Sequence, residues 1–236
     1  VHRRSRRPLN SSAVDMTEKP LIPAPHRLIV VEGPIGVGKT SLARRLARSF
    51  GSELILEQAD ENPFLERFYK NPRSAALQTQ LFFLFQRTRQ LEDIRQHDLF
   101  DTVRVADYLL DKDKLFAQLT LDEEEFSLYE QVYTRLAVDA PVPDLVIYLQ
   151  APVDVLRERI ERRGIKYEQN IEKNYLERLQ ETYARFFHEY DASPLLIVNA
   201  AQADFVNSDH DYGELLEQVI RTRRGRHYYN PLKSAV

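Results

Sequence analysis

The chain has 236 residues, with 33 Lys and Arg against 36 Asp and Glu for a net charge of −3, so no global basic field exists to hold a nucleic acid polymer. Hydrophobic residues make up 43% and charged residues 29%, the mixture of a soluble globular domain and not of a disordered or membrane-spanning chain. Cysteine is absent, which excludes disulfides, thiolate nucleophiles and Cys-ligated metal centres, and is compatible with a cytoplasmic setting.

Residues 1–25 read as a leader. Four Arg precede a Pro/Ser/Asn stretch with no apolar run that could form a signal-peptide core, and 17–25 hold three prolines in an extended lead-in. Met16 is the only Met and the expected natural start; an organellar targeting segment is the rival reading. The expected catalytic domain spans 26–221, and 222–236 reads as a basic tail. Leu28–Val31 is a buried-strand run. Only 7 glycines occur in the chain, and three fall within six residues directly after this strand. Gly33-Pro34-Ile35-Gly36-Val37-Gly38-Lys39-Thr40 fits G-x-x-x-x-G-K-[ST], followed by Ser41 and a helix over 39–50 that Gly51 stops. Glycine lets backbone N–H groups close around phosphate oxygens, and the helix N-terminus adds donors and partial positive charge. Lys39 is expected to reach the outer phosphates and Thr40 to ligate Mg²⁺, so ATP and Mg²⁺ are the expected donor and metal.

Further along, short apolar runs at 53–56, 99–106, 145–149 and 195–198 read as strands. Amphipathic stretches at 64–69, 75–96, 111–118, 122–138, 153–162, 171–188 and 212–221 read as helices. This alternation predicts an α/β fold with a mostly five-stranded parallel sheet covered on both faces. Ligands in such sheets sit beyond the carboxyl ends of the strands, where Glu32, Glu57 and Asp107 fall. The six His are scattered without metal-ligand spacing.

The segments VEGPIGVGKTSLARRLA, the strand ending in Glu57, NPRSAALQTQLFFLFQR and RERIERRGIKYEQNI, in this order and spacing, resemble the deoxyribonucleoside kinases, with the bacterial deoxyadenosine/deoxyguanosine kinase branch most similar. The similarity runs from about Arg27 to Ile220. It implies a P-loop three-layer α/β/α fold with a small Arg-rich lid, nucleotide salvage by ATP-dependent 5′-phosphorylation of a deoxynucleoside, a purine preference, and a homodimer. It also implies roles. Glu57 is the carboxylate that accepts the 5′-hydroxyl proton. Tyr69 and Glu168 bind the sugar 3′-hydroxyl, which a phenol and a carboxylate can serve as donor and acceptor. Gln80 and Arg87, seven apart on one helix face, address the base, with Phe82, Phe83 and Phe85 nearby. Arg159 and Arg163 are lid arginines that clamp the phosphates. Asp204 and Phe205 belong to the loop that holds the ATP adenine.

The pattern departs from the family after the third strand. An acidic residue, Arg and Ser usually stand there; this chain has Asp107-Tyr108-Leu109. Asp107 keeps the metal-side role, and either Arg104, Lys112 or Lys114 substitutes for the missing Arg or the lid carries more of the load. Asp113 matches a base-reading Asp only with a one-residue gap. The rival functions are another small-molecule or nucleoside-monophosphate kinase, and a nucleotide-dependent switch acting on a protein.

Overall fold

The computed structural model describes residues 24–96, 103–137 and 140–231, with side chains omitted at 94–96. Met16 and nearly all of the expected leader, the first part of the 99–106 run and the last five residues lie outside the described residues.

Six strands, β1 (Leu28–Glu32), β2 (Glu53–Ile55), β3 (Arg104–Ala106), β4 (Leu145–Gln150), β5 (Leu195–Asn199) and β6 (Arg226–Tyr229), form one sheet in the order β2-β3-β1-β4-β5-β6. Every neighbouring pair is parallel. Because alternate residues of a strand point to opposite faces and both faces are covered, the central strands must be apolar throughout. Accordingly Ile29, Val31, Leu145, Ile147, Leu196 and Val198 enter one core, against α1 (Lys39–Phe50) and α8 (Asp209–Arg221). Val30, Val146, Tyr148, Leu195 and Ile197 enter the other, against α4 (Lys112–Thr120) and α7 (Lys173–Glu189). α2 (Leu65–Lys70), α3 (Ala76–Gln96) and α5 (Glu123–Leu136) stand outside this second layer, and α6 (Val153–Arg163) follows β4. Among the described residues no helix is long and apolar enough to cross a membrane.

The sheet has one strand more than the sequence pattern predicts. β6 lies inside the expected tail, pairing Leu195 with Arg226 through Val198 with Tyr229. Arg226 donates to the carbonyls of His188 (2.8 Å) and Tyr190 (3.1 Å), and the Tyr229 hydroxyl to Glu214 (3.0 Å). As an edge strand it is largely exposed and carries no continuous apolar run, so its Arg-His-Tyr-Tyr sequence resembles a solvated tail. The expected helices all form, with ends that coincide or move by at most three residues.

Candidate active site

The phosphate loop lies between β1 and α1, and its glycines meet specific neighbours. Gly33 has φ 149° and a Cβ there would sit 2.5 Å from the Leu149 carbonyl oxygen; Gly36 has φ 83° and its Cβ would meet the Leu156 carbonyl and Ile160 side chain of α6 at 2.9 Å. Gly38 has φ 107° and faces the Phe205 ring. The loop is thus pressed between β4 and the lid helix, and at Gly33 and Gly36 there is no room for a Cβ, while Gly38 is required by its positive φ.

Lys39 closes the loop on itself, its ammonium donating to the carbonyls of Gly33 (2.7 Å) and Pro34 (3.2 Å). Burial, and then the nearby Lys112 charge, lower its pKa to about 8. Thr40 donates to Asp107 Oδ2 (2.5 Å), while Asp107 Oδ1 accepts the backbone N–H of Glu57 (2.7 Å). One carboxylate therefore ties α1, β3 and the end of β2 together. Glu32 performs a similar task one strand away. It is fully buried, accepts from Gly33 N–H (2.8 Å), the Tyr183 hydroxyl (3.0 Å) and Leu109 N–H (2.8 Å), and leaves its charge 4.0 Å from the Lys112 ammonium.

Two cavities meet at the loop. The first, about 550 Å³, is lined by Gly36 to Ser41, by Arg159, Arg162 and Arg163 of α6, and by the loop from Ala201 to Asn207. Arg159 donates to the carbonyls of Val37 (3.1 Å) and Ala200 (2.8 Å), bracing the lid helix on both walls. Asp204 and Phe205 line this cavity, yet their side chains build it. Asp204 accepts from the Asn207 backbone and amide at 3.0 Å, and Phe205 is 2% exposed in the core. Arg45 of α1 holds the loop from behind, donating to the carbonyls of Phe205 (3.3 Å), Val206 (3.2 Å) and Ser208 (3.4 Å) and stacking on Tyr212 at 4.0 Å.

The second cavity, about 320 Å³, is lined by Lys39, Thr40, Glu57, Asp107 and Lys112 and by Tyr69, Gln80, Phe83, Arg87, Arg163 and Glu168. All these sequence-predicted acceptor residues except Asp113 come to one wall or another of it. Glu57 projects from just past β2 and is ion-paired with Arg87 and with Lys112, whose ammonium lies 3.1 Å from one oxygen and 3.3 Å from the other. Arg87, 3% exposed, also pairs with fully buried Asp113 behind it. Asp113 thus reaches the cavity only through Arg87. Gln80 donates to the Thr120 hydroxyl at 3.3 Å. Of the α3 rings only Phe83 lines the cavity, under the Arg87 guanidinium at 4.9 Å; Phe82 does not, and Phe85 is 50% exposed.

Residues 166–170 fold back from the lid helix as a 3₁₀ turn. They bring Glu168, 8% exposed and paired with Arg163, beside Tyr69, whose pKa is pushed up first by burial and then by neighbouring groups that include Glu168. Tyr167 stacks on Tyr69 (6.0 Å, 6°) and donates to Asp60 at 2.7 Å, closing the same wall. No local pattern marks Tyr167, Asp60 or Arg45 as site residues, and Arg162 reads in the sequence as part of a solvated basic helix face. Only the adjacency of Tyr167 to Glu168 and of Arg162 to Arg163 hinted at them.

A P-loop at a strand-to-helix turn, a carboxylate across the cavity and an arginine-bearing helix between two clefts define a kinase of small molecules. The deoxynucleoside kinase family model matches residues 29–223, and the chain belongs to that family. It is 38% identical over 196 residues to a deoxyguanosine kinase of Bacillus subtilis, covering 81% of this chain and 95% of that protein. A Lactobacillus acidophilus deoxyadenosine kinase is 30% identical over 207 residues, covering 82% and 94%. The structure of a deoxyadenosine kinase from M. mycoides superposes with a TM-score of 0.70 at 24% identity, over 81% of this chain and 98% of that one, which shows the shared fold. The chain is accordingly an enzyme that phosphorylates deoxynucleosides.

Proposed function

We propose that the chain transfers the γ-phosphoryl group of ATP to the 5′-hydroxyl of a purine deoxynucleoside, with Glu57 as the base. The observation that carries this reading is the single cavity lined both by Lys39, Thr40 and Glu57 and by Tyr69, Glu168, Gln80 and Arg87, with Arg87 joined to Glu57 by an ion pair. The first set suits phosphate and a reacting alcohol; the second suits a sugar hydroxyl and a base edge. Named purine deoxynucleoside kinases among the relatives support the purine preference.

ATP lies along the first cavity with its phosphates in the loop. Lys39 exchanges its carbonyl partners for phosphate oxygens, and Arg159 and Arg163 reach them from the lid. Glu57 takes the hydroxyl proton late, when the loose transition state makes the alcohol acidic. Closure of α6 and the 166–170 turn excludes water that would otherwise accept the phosphoryl group. Thr40 and Asp107 present hard oxygens side by side, and Mg²⁺ needs only one or two protein ligands besides phosphates and water, so this pair fits the metal. Thr40 and Asp107 would hold Mg²⁺, which would neutralise phosphate charge there, and Asp107 also accepts the backbone N–H of Glu57.

Exposed Phe85 on α3 and Leu128 on α5 support a homodimer through these helices, which light scattering tests. The decisive assay supplies ATP with each of the four deoxynucleosides, with ribonucleoside and monophosphate controls. Turnover requires an added deoxynucleoside and is fastest with dGuo or dAdo. Hydrolysis of ATP at the same rate without acceptor, or a monophosphate as the best acceptor, would overturn the reading.

A further inference from the structure

We propose that Lys112 is the cation on the acceptor side of the transferred phosphoryl group, passing from the Glu57 carboxylate to the new phosphate ester as transfer proceeds. The inference rests on Glu57 being the base.

Lys112 is the first residue of α4, and its side chain is 5% exposed with the ammonium at the wall of the second cavity. A buried ammonium without a partner is costly, so what it pairs with matters. Its near partner is Glu57, at 3.1 Å. The more distant one, Glu32 at 4.0 Å, already accepts three hydrogen bonds from Gly33, Tyr183 and Leu109. Arg87 also pairs with Glu57 but keeps Asp113 as a counter-ion when Glu57 is neutralised, and the other two cations that flank Asp107 in the sequence are elsewhere. Arg104 bonds Glu53 (3.1 Å) at the amino-terminal ends of β2 and β3, and Lys114 pairs with Glu130 (3.2 Å) on the surface.

The charge balance of the reaction then assigns Lys112 its work. A lone pair of the 5′-oxygen forms the new bond to the γ-phosphorus. The bond from that phosphorus to the bridging oxygen breaks, and its electron pair stays on the β-phosphate. The 5′-oxygen proton moves to Glu57. Glu57 is then neutral, and Lys112 has lost its close counter-ion at the moment an anionic phosphate ester appears beside it. The ammonium attracts that ester more strongly than it attracted the neutral alcohol, which is the condition for accelerating the step. Burial holds the Lys112 pKa at about 8, and an arriving phosphate favours the charged form.

The test is steady-state kinetics and direct deoxynucleoside binding for Lys112→Gln, Lys112→Arg, Glu57→Gln and Lys114→Gln. Lys112→Gln is expected to lower kcat by about 100-fold, the scale of one lost transition-state charge contact, with deoxynucleoside affinity kept within about 3-fold. Lys112→Arg recovers at least about 10-fold of that loss, since the charge returns. Lys114→Gln matches the native enzyme. A Lys112→Gln kcat near native, or a loss confined to binding, overturns the proposal. Should Lys112→Gln fail to fold, Lys112→Arg decides. Its alkaline fall in kcat/KM becomes shallower by one ionisation, and a profile superimposable on the native one refutes the role. Glu57→Gln separates the two readings. If it is inactive while Lys112→Gln is active, only the Lys112 assignment falls; if Glu57→Gln is itself active, the base assignment falls and the exchange of partners with it.

Discussion

Substituting Gly36 by Ala probes whether the lid helix and the phosphate loop form one mechanical unit. Two terms add. Gly36 has φ 83°, where a Cβ costs about 1–2 kcal/mol. The new methyl would also stand 2.9 Å from the Leu156 carbonyl oxygen and 2.9 Å from Ile160 Cγ1. The oxygen is backbone and cannot rotate away, so α6 must move, at an overpacking cost of about 1–3 kcal/mol. Gly164 is the matched control. Its φ is 71° and nothing lies within 4 Å of its Cβ position, so Gly164→Ala carries the backbone term alone. The difference between the variants isolates the α6 contact, about 1–3 kcal/mol. At roughly 2–4 °C per kcal/mol for a chain of this size, Gly36→Ala should melt about 2–12 °C below Gly164→Ala. Because α6 carries Arg159 against the Val37 and Ala200 carbonyls, KM for ATP should rise in Gly36→Ala and less in Gly164→Ala. Thermal melts and steady-state kinetics measure both. Equal melting temperatures, or a native KM for ATP in Gly36→Ala, would refute the coupling.

Asp107→Asn keeps shape but removes the charge that joins Thr40 to the Glu57 backbone, and should raise the Mg²⁺ needed for half-maximal rate by at least about 10-fold. Arg45→Gln releases three carbonyls of the 205–208 segment. KM for ATP should rise by about 5–30-fold, the equivalent of one to two hydrogen bonds, with KM for the deoxynucleoside unchanged. Burial pushes the Lys39 and Lys112 ammonium groups down to about 8 in the folded protein, below the ordinary lysine value of 10.5. Between those values the unfolded chain binds more protons, so these lysines make stability rise with pH from about 8 to 10.5; urea titrations at several pH values measure it. Bound ATP restores their charge. At pH 8 each is about half protonated, and binding should take up about one proton, read by calorimetry in buffers of different ionisation enthalpy. Heats that do not depend on the buffer would contradict the placement of both lysines beside the phosphates.

The phosphate loop was legible because its chemistry is local. Backbone turns, a positive φ and a helix N-terminus are all encoded within eight consecutive residues. The central strands were legible for a related reason, since burial on both faces leaves an unbroken apolar run that no partner has to be known to recognise. β6 was not, because an edge strand has no such run, and its register comes from β5. The acceptor cavity shows the same division. Glu57, Tyr69, Gln80, Arg87 and Glu168 were picked out through family spacing. That Arg87 grips Glu57 and Asp113 together, that Tyr167 closes on Asp60, and that Lys112 rather than Arg104 or Lys114 stands beside Glu57 emerged only from the fold. Three cations within eleven residues look equivalent in a sequence. They differ in which end of a strand or which side of α4 they occupy, and parallel packing puts one in the cavity, one at the amino-terminal ends of the strands and one against Glu130 and Tyr133 of α5. Residue types and short spacings therefore determined which chemistry the chain can do. The pairing of charges 30 and 55 positions apart, set by strand order and helix docking, decided which side chains are in place to do it.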